Sequence, residues 1–299
     1  MASSYYGGQR AAKLAIIAGV LPAMILAAGL GTRLRPLTDH RAKALVPVGD
    51  RPALAHVVDR LRAAGVARVV VNAHHHLDQL RAFALARGLE LSEETDLLGT
   101  AGGIEHAAGR LGEGDVLLWN ADILADVDVA ALLAAHHAEA TLVVQPLERG
   151  QGSVGLDASG RVVRLRQVSF AAEERGGQFL GIHVLGRALR ARLPGQGGLI
   201  EDVYLPALAR GEVLRAHLFE GAWHDIGTTE TYLEANVAWL AARGLERWTG
   251  PGARVADGIA LDRAVVGAGA SVTGHGALTR CVVWPGASAV APLDGRVIS

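Results

Sequence analysis

The sequence predicts an α/β fold: a Rossmann-like mixed sheet, mainly parallel, followed by a short left-handed β-helix at the C-terminal end. Three observations lead there. Apolar runs alternate with amphipathic helical segments through the first half of the chain, as a parallel sheet covered on both faces requires. A hairpin signal then breaks the alternation. Beyond about residue 250 the apolar period changes to six, the mark of a stacked coil.

In chain order, Ala23–Ala28 is an apolar run that reads as a buried strand ending in Gly29, Gly31 and Thr32. Residues 52–64 carry Leu54, Val57, Val58 and Leu61 at helical spacing, with Asp50 placed to cap the start. Gly65 ends that helix, and residues 68–72 form the next strand. A helix over 77–87, a short strand over 89–91, a strand over 116–120, a helix over 129–137 and a strand over 141–145 follow. Asp157-Ala-Ser-Gly160, between 154–156 and 161–165, reads as a hairpin turn and implies antiparallel additions. Strands over 179–185 and 213–219 and a helix over 228–242 complete this part.

A break rich in Gly and Pro covers 243–254. After it Val266, Val272, Leu278, Trp284 and Val290 recur every six residues, with Ala264, Ala270, Gly276, Val282 and Ser288 two positions before each. One apolar and one mostly small residue per six fits a triangular coil. The segment is long enough for about two coils, which must pack on the preceding domain or on another copy of the chain. The expected domains are an N-terminal extension over 1–21, a catalytic domain over 22–243, and a linker with hexapeptide coils over 244–299.

The chain has 299 residues, a formal charge of −1 and one cysteine, Cys281. Charge balance argues against a nucleic-acid binder, which needs a basic surface. A lone cysteine excludes an intrachain disulfide and a cysteine-rich zinc site, and suits a reducing cytoplasm. Leu14–Leu30 is uncharged and apolar, but it is short, holds Pro22 and runs straight into the glycine turn, so a membrane span is not expected. Residues 1 to about 20 are expected to be a partly disordered extension.

The glycine turn is where chemistry is expected. Glycines let backbone approach a ligand, and their exposed N–H groups can hold an anion. Arg33 and Lys43 add two cations, so a phosphate chain is the expected guest. The stretch Leu26-Ala-Ala-Gly-Leu-Gly-Thr-Arg-Leu-Arg-Pro-Leu-Thr38 with Lys43 is neither a Walker loop nor a dinucleotide fingerprint. It resembles the signature of the nucleoside-triphosphate: sugar-1-phosphate nucleotidyltransferases, which include mannose-1-phosphate guanylyltransferases and N-acetylmuramate-1-phosphate uridylyltransferases. Further motifs carry the resemblance on to about residue 240. Asn120-Ala-Asp122 ends a hydrophobic strand, and Trp223-His-Asp-Ile-Gly227 precedes a helix; both resemble the family's magnesium-binding elements.

The resemblance implies a mixed nucleotidyltransferase-type sheet, with Mg²⁺ on Asp122 and Asp225 and with Arg33 and Lys43 acting on phosphates. It implies a nucleotide site of Ala28, Gly29, Gly31, Thr32, Asn72, Glu94, Gly99, Thr100 and Gly102. In that implied site Ala28, Asn72, Glu94, Thr100 and Gly102 line the base and ribose pocket, and the Gly29–Thr32 backbone, with Arg33, meets the leaving pyrophosphate. Leu98-Gly-Thr-Ala-Gly-Gly103 resembles a second glycine element packed on the nucleobase; it also fits a helix start capped by Thr100. On the sugar side the resemblance implies Gly181 and Glu201. The partners are then an NTP and a sugar 1-phosphate, the products an NDP-sugar and pyrophosphate. Two alternatives are a cytidylyltransferase acting on a non-sugar phosphate and a non-catalytic nucleotide-sugar-binding paralogue. The first would replace Glu201 and add aromatics for an ammonium group; the second would lose Arg33, Lys43 or the aspartates.

Two departures stand out. The family's Pro-Lys-Pro is Ala42-Lys43-Ala44 here. Its Glu-Lys-Pro, source of a second lysine for the sugar phosphate, is missing, and residues 164–168 offer only the arginines Arg164 and Arg166. His74-His75-His76 is not expected to bind metal, because three consecutive side chains cannot all face one ion.

Overall fold

The computed structural model describes residues 21–299. The expectation for the first 20 residues lies outside them. By internal contacts the chain forms two compact units, one built around residues 57–222 with the first strand, the other from 30–56 and 223–299.

The first unit holds a ten-stranded sheet. Its strands are β1 (Ala23–Leu26), β2 (Val69–Ala73), β3 (Glu90–Glu93), β4 (Val116–Asn120), β5 (Ala140–Leu147), β6 (Val154–Leu156), β7 (Val162–Leu165), β8 (Val168–Ser169), β9 (Arg175–Leu185) and β10 (Leu214–Leu218). β1 lies between β2 and β4, with Ile25 opposite Val71 and Trp119, and β3 extends β2; all these pairs are parallel. Parallel strands of this kind are buried on both faces, which is why β2 opens on the apolar run Val69–Val71 and is buried along its whole length.

The expected antiparallel additions are present. β9 runs against β4, β5 and β6, and β6 and β7 form the hairpin around Asp157, whose carboxylate accepts the N–H groups of Ser159 and Arg161. β10 adds to β5 in parallel. The helix expected over 77–87 spans Leu77–Arg87 and closes on Gly88, at a φ of 58°. Asp128 caps the Val129–Ala135 helix, its carboxylate accepting the Ala131 N–H at 3.0 Å. Among the described residues no helix is long and apolar enough to cross a membrane.

One core position has a pH consequence. His183, on β9, is fully buried, packed on the Phe179 ring at 5.3 Å and edge-on to Tyr204 at 5.8 Å. Burial pushes its imidazole down from 6.5 to about 3. On acidification the unfolded chain therefore takes up a proton that the folded chain refuses. This contribution to stability is complete above pH 6.5 and declines toward pH 3, by about 1.4 kcal/mol per pH unit. Urea midpoints at pH 7.5 and 5.5 should show the decline, and His183→Phe should flatten it. An equal pH dependence in the variant would refute this assignment.

In the second unit, residues 30–56 pack on the Thr229–Ala241 helix. That helix opens with a capping box between Thr228 and Thr231. Gly49 (φ 62°) lies so close to the Trp239 ring that a Cβ would fall 2.0 Å from it, and its N–H donates to the Asn236 side chain. The C-terminal residues form short strands stacked in parallel. Val255 lies beside Val272 and Val272 beside Ala289. Leu261, Leu278 and Leu293 form a second column, and Val266, Val283 and Ile298 a third. These columns enclose the apolar centre of the segment.

The register corrects the six-residue pattern. The step between stacked residues is 15 at the C-terminal end, as between Leu278 and Leu293, and elsewhere 17, as between Ser271 and Ser288, whose hydroxyls bond at 2.8 Å. The 17-residue step is one residue short of three hexapeptides, so strict six-spacing drifts. Ala289, not Val290, turns inward, and Val290 is 65% exposed. Gly252, Gly269 and Gly286 mark the same step with φ of 72°, 67° and 76°, a corner that needs the left-handed conformation.

Trp284 leaves the interior columns. Its Nε1 donates to the Tyr232 hydroxyl at 2.9 Å, that hydroxyl donates to the Pro47 carbonyl, and Arg41 lies over the indole at 5.1 Å. Trp284→Ala should cost about 3–5 kcal/mol in a urea melt, the usual penalty for emptying a buried tryptophan site. Trp284→Phe should keep most of the packing. A melt unchanged in the alanine variant would show that this contact contributes nothing.

Candidate active site

The glycine turn after β1 divides between the two units, and each half has a geometry of its own. In the second unit Gly31 adopts a φ of 66°, and a Cβ there would stand 3.0 Å from both Lys43 Cβ and Thr38 Cγ2. Thr38 Oγ1 donates to the Gly31 carbonyl at 2.8 Å. Gly31, Thr38 and Lys43 are therefore in mutual contact, and Thr32–Leu34 forms a single 3₁₀ turn that carries Arg33. The order of residues in the motif thus has a local cause: Thr38 closes the loop on Gly31, and only glycine leaves room for Lys43 to pass.

Asp225 ends the short strand Trp223–Asp225. A Cβ on Gly227 would lie 3.1 Å from Asp225 Oδ1 and 3.4 Å from Arg33 Nη1. Two of the expected catalytic residues, distant in sequence, thus flank one glycine. The His224 imidazole beside Asp225 is pushed down by burial, against a smaller upward pull from Glu234.

In the first unit Ala28 is buried and Gly29 exposed, and nothing stands within 4 Å of where a Gly29 Cβ would be. Asn72 and Glu94 form a buried polar link. Asn72 Oδ1 accepts the Ala27 N–H at 2.7 Å, and its Nδ2 donates to Glu94 Oε1 at 2.7 Å. Glu94 Oε2 accepts the Leu98 N–H at 3.2 Å, and Gly103 packs against both side chains. This link ties the end of β1 to the second glycine element. His74 belongs to the same link, its Nδ1 lying 3.0 Å from the Glu94 carbonyl.

One expectation about the second glycine element is corrected, and its glycines pack on another loop. Thr100 does not cap a helix: the helix runs Gly99–His106 with Leu98 at its N-cap and no side-chain cap. The space opposite Gly99 and Gly102 is occupied by protein. Their Cβ positions fall 2.4 Å from the Gly197 carbonyl and 2.6 Å from the Gly195 carbonyl, and Ala101 N–H donates to Gly197 O at 2.9 Å. The partner loop, Gly195-Gln-Gly-Gly198, escaped the motif reading; its three glycines just before Glu201 were the available signal.

Asp122 is half-buried two residues beyond the end of β4. Gly181 lies in β9 where its register with β5 shifts, with a φ of 74°, and a Cβ there would strike the Asn120 side chain at 2.3 Å. Such bulges recur beside active sites because they redirect a strand locally. Glu201 sits on a π-helical turn, Ile200–Tyr204, and is ion-paired with Arg166. The reach of Arg166 to Glu201 is not legible from their spacing in the sequence.

The donor sets suit magnesium. Asp122 and Asp225 offer carboxylate oxygens, the hard ligands Mg²⁺ takes alongside substrate phosphates and water. A side chain at position 227 would crowd the Asp225 carboxylate, its Cβ falling 3.1 and 3.3 Å from the two oxygens.

A mixed α/β sheet, parallel around its first strand, with a phosphate-type glycine turn at the carboxyl end of that strand defines a nucleotide-handling protein. The chain belongs to the nucleotidyl transferase family, whose model matches residues 22–241. N-acetylmuramate alpha-1-phosphate uridylyltransferase of Caulobacter vibrioides is 35% identical over 229 residues, covering 71% of this chain and 94% of that one. Mannose-1-phosphate guanylyltransferase of Mycobacterium tuberculosis is 31% identical over 228 residues, 72% of this chain but only 63% of that protein. Among solved structures, HddC from Yersinia pseudotuberculosis complexed with GMP-PN superposes with a TM-score of 0.63 at 21% identity, covering 73% of this chain and 99% of that one. That likeness supports the mixed α/β fold.

Proposed function

We propose that the chain joins an NTP to a sugar 1-phosphate, giving an NDP-sugar and pyrophosphate. The observation that carries this is the second unit's phosphate apparatus: Gly31 closed by Thr38 against Lys43, with Arg33 and Asp225 flanking Gly227. An acceptor phosphate oxygen attacks the α-phosphorus, and the bond to the bridging oxygen breaks with its electron pair leaving on pyrophosphate. The attacking group is already anionic and needs no general base, so positioning and charge neutralisation suffice.

In this scheme the Gly29–Thr32 backbone and Arg33 neutralise the leaving pyrophosphate, and Lys43 balances charge on the α-phosphate or the acceptor. Asp122 and Asp225 are the carboxylates for Mg²⁺, which when bound neutralises phosphate charge. Ala28, Gly99, Thr100 and Gly102 belong to the base and ribose pocket, with Asn72 and Glu94 holding its backbone. Gly181 and Glu201 meet the sugar. We assign the catalytic domain to residues 22–243 and a left-handed β-helix to 244–299; the 17-residue rung supports a triangular coil. To the coil we assign a role in contact with a second copy, and the single cysteine suits the cytoplasm.

A pyrophosphate-release screen of the four common NTPs against a panel of sugar 1-phosphates tests the proposal. UTP with N-acetylmuramate 1-phosphate is the first pair to try, because that relative is matched over 94% of its length. Release with at least one pair is expected. Failure with every pair would overturn the proposal.

A further inference from the structure

From β1 the strand order runs outward through β2 to β3, and the next strand, β4, lies on its other side. Beyond the carboxyl ends of strands at such a reversal, open α/β sheets take their ligands. At that edge Ala73 of β2 lies opposite Glu93 of β3, and each strand releases one residue, His74 from β2 and Glu94 from β3. The Glu94 N–H still reaches the Ala73 carbonyl at 2.8 Å. Asn72 Nδ2 donates to the Glu94 carboxylate at 2.7 Å, and His74 Nδ1 lies 3.0 Å from the Glu94 backbone carbonyl.

Asn72 and Glu94 are spent on the protein. They are 3% and 1% exposed. Asn72 Oδ1 accepts from Ala27, its Nδ2 donates to Glu94, and the second Glu94 oxygen accepts from Leu98. These atoms fix the edge of the pocket and leave little to tell one base from another. His74 differs. It is half-buried, and among the described residues its Nε2 has no hydrogen-bond partner. The Glu94 carbonyl also settles the tautomer. A carbonyl oxygen only accepts, so the proton of the neutral imidazole is assigned to Nδ1 and Nε2 is left as a lone-pair acceptor.

We propose that His74 selects the nucleobase of the NTP, its Nε2 accepting the ring N–H that uracil and thymine carry at N3 and guanine at N1. Cytosine and adenine present a lone pair at that ring nitrogen. Against Nε2 this sets two acceptors face to face and leaves both unpaired, which a buried site penalises. The chain therefore takes NTPs whose base has a protonated ring nitrogen. This rests on the nucleotidyl-transfer reading and deepens it, because the pocket frame sets a place for the base without choosing among bases.

Steady-state pyrophosphate release by the full chain, with UTP set against CTP and GTP against ATP, tests this. In the pair it uses, the unmodified chain should favour the ring-N–H member in kcat/KM by about a hundredfold or more, since a site built around a hydrogen bond rejects the analogue lacking it. His74→Ala should shrink that ratio by about tenfold through loss with the preferred NTP, leaving the acceptor KM within about twofold. His74→Gln, whose amide both accepts and donates, should shrink it by a gain with CTP or ATP. A residue that merely anchored Glu94 would lower both members of a pair alike and leave the ratio unchanged. Melting temperatures of both variants should stay near that of the parent; if the alanine variant melts early, the ratio in the glutamine variant decides. An unchanged ratio in the folded variants, or equal use of both members of a pair by the unmodified chain, overturns the inference alone. An unmodified chain that releases no pyrophosphate with any NTP and sugar 1-phosphate overturns the nucleotidyl-transfer proposal, and this one with it.

Discussion

Asp225→Asn and Asp122→Asn should each leave a folded protein whose pyrophosphate release is slower by about a thousandfold, the scale of losing a charged metal ligand. The substitution keeps the shape of the side chain and removes its charge. Neither carboxylate lies deep in the core; both are half-buried. Asp225 stands with Arg33 around Gly227, so its loss also removes a negative charge near that guanidinium. Matched melting curves with collapsed turnover are the expected result. Near-normal release by either variant would remove that residue from the magnesium assignment.

Arg33→Ala and Lys43→Ala carry the second large effect. Each should lower kcat by about a hundredfold or more, because neutralisation of developing phosphate charge is commonly the largest catalytic contribution in such chemistry. Lys43 also packs against Gly31, so its loss loosens the turn and should raise the NTP KM as well. Arg33, on the exposed 3₁₀ turn, should affect kcat with little change in stability. If both variants raise the NTP KM at constant kcat, these cations hold the ground state and the proposed division of roles fails.

Local signals explain why much of the fold was legible in advance. β4 and the Leu77–Arg87 helix lie where apolar periodicity placed them, because their burial is decided by their own pattern and their ends by Gly88 and Asn120. The hairpin at Asp157 was equally plain, since that carboxylate makes its turn within a few residues. The glycine turn was legible for the same reason: Gly31, Thr38 and Lys43 close on one another within one short segment.

Features made by partners distant in the chain were not legible. Thr100 reads as a cap until the Gly195–Gly198 loop packs on the element from outside and the helix starts at Gly99. Val290 reads as an inward residue until the 17-residue rung turns it out. Arg164 and Arg166 read alike; one is bound by five acceptors and the other reaches Glu201.

Periodicity and turn chemistry act over a few residues, so the mixed α/β class, the order of most strands and helices and the glycine turn with its cations were legible from sequence alone. Only the tertiary structure decided which side chains hold and which face outward. It showed Asn72 and Glu94 engaged in tying β1 to the second glycine element, and it set Arg33 beside Asp225. Those outcomes depend on which long-range neighbour fills the space a glycine leaves or accepts the hydrogen bond a buried polar group must make, and no local pattern encodes that choice.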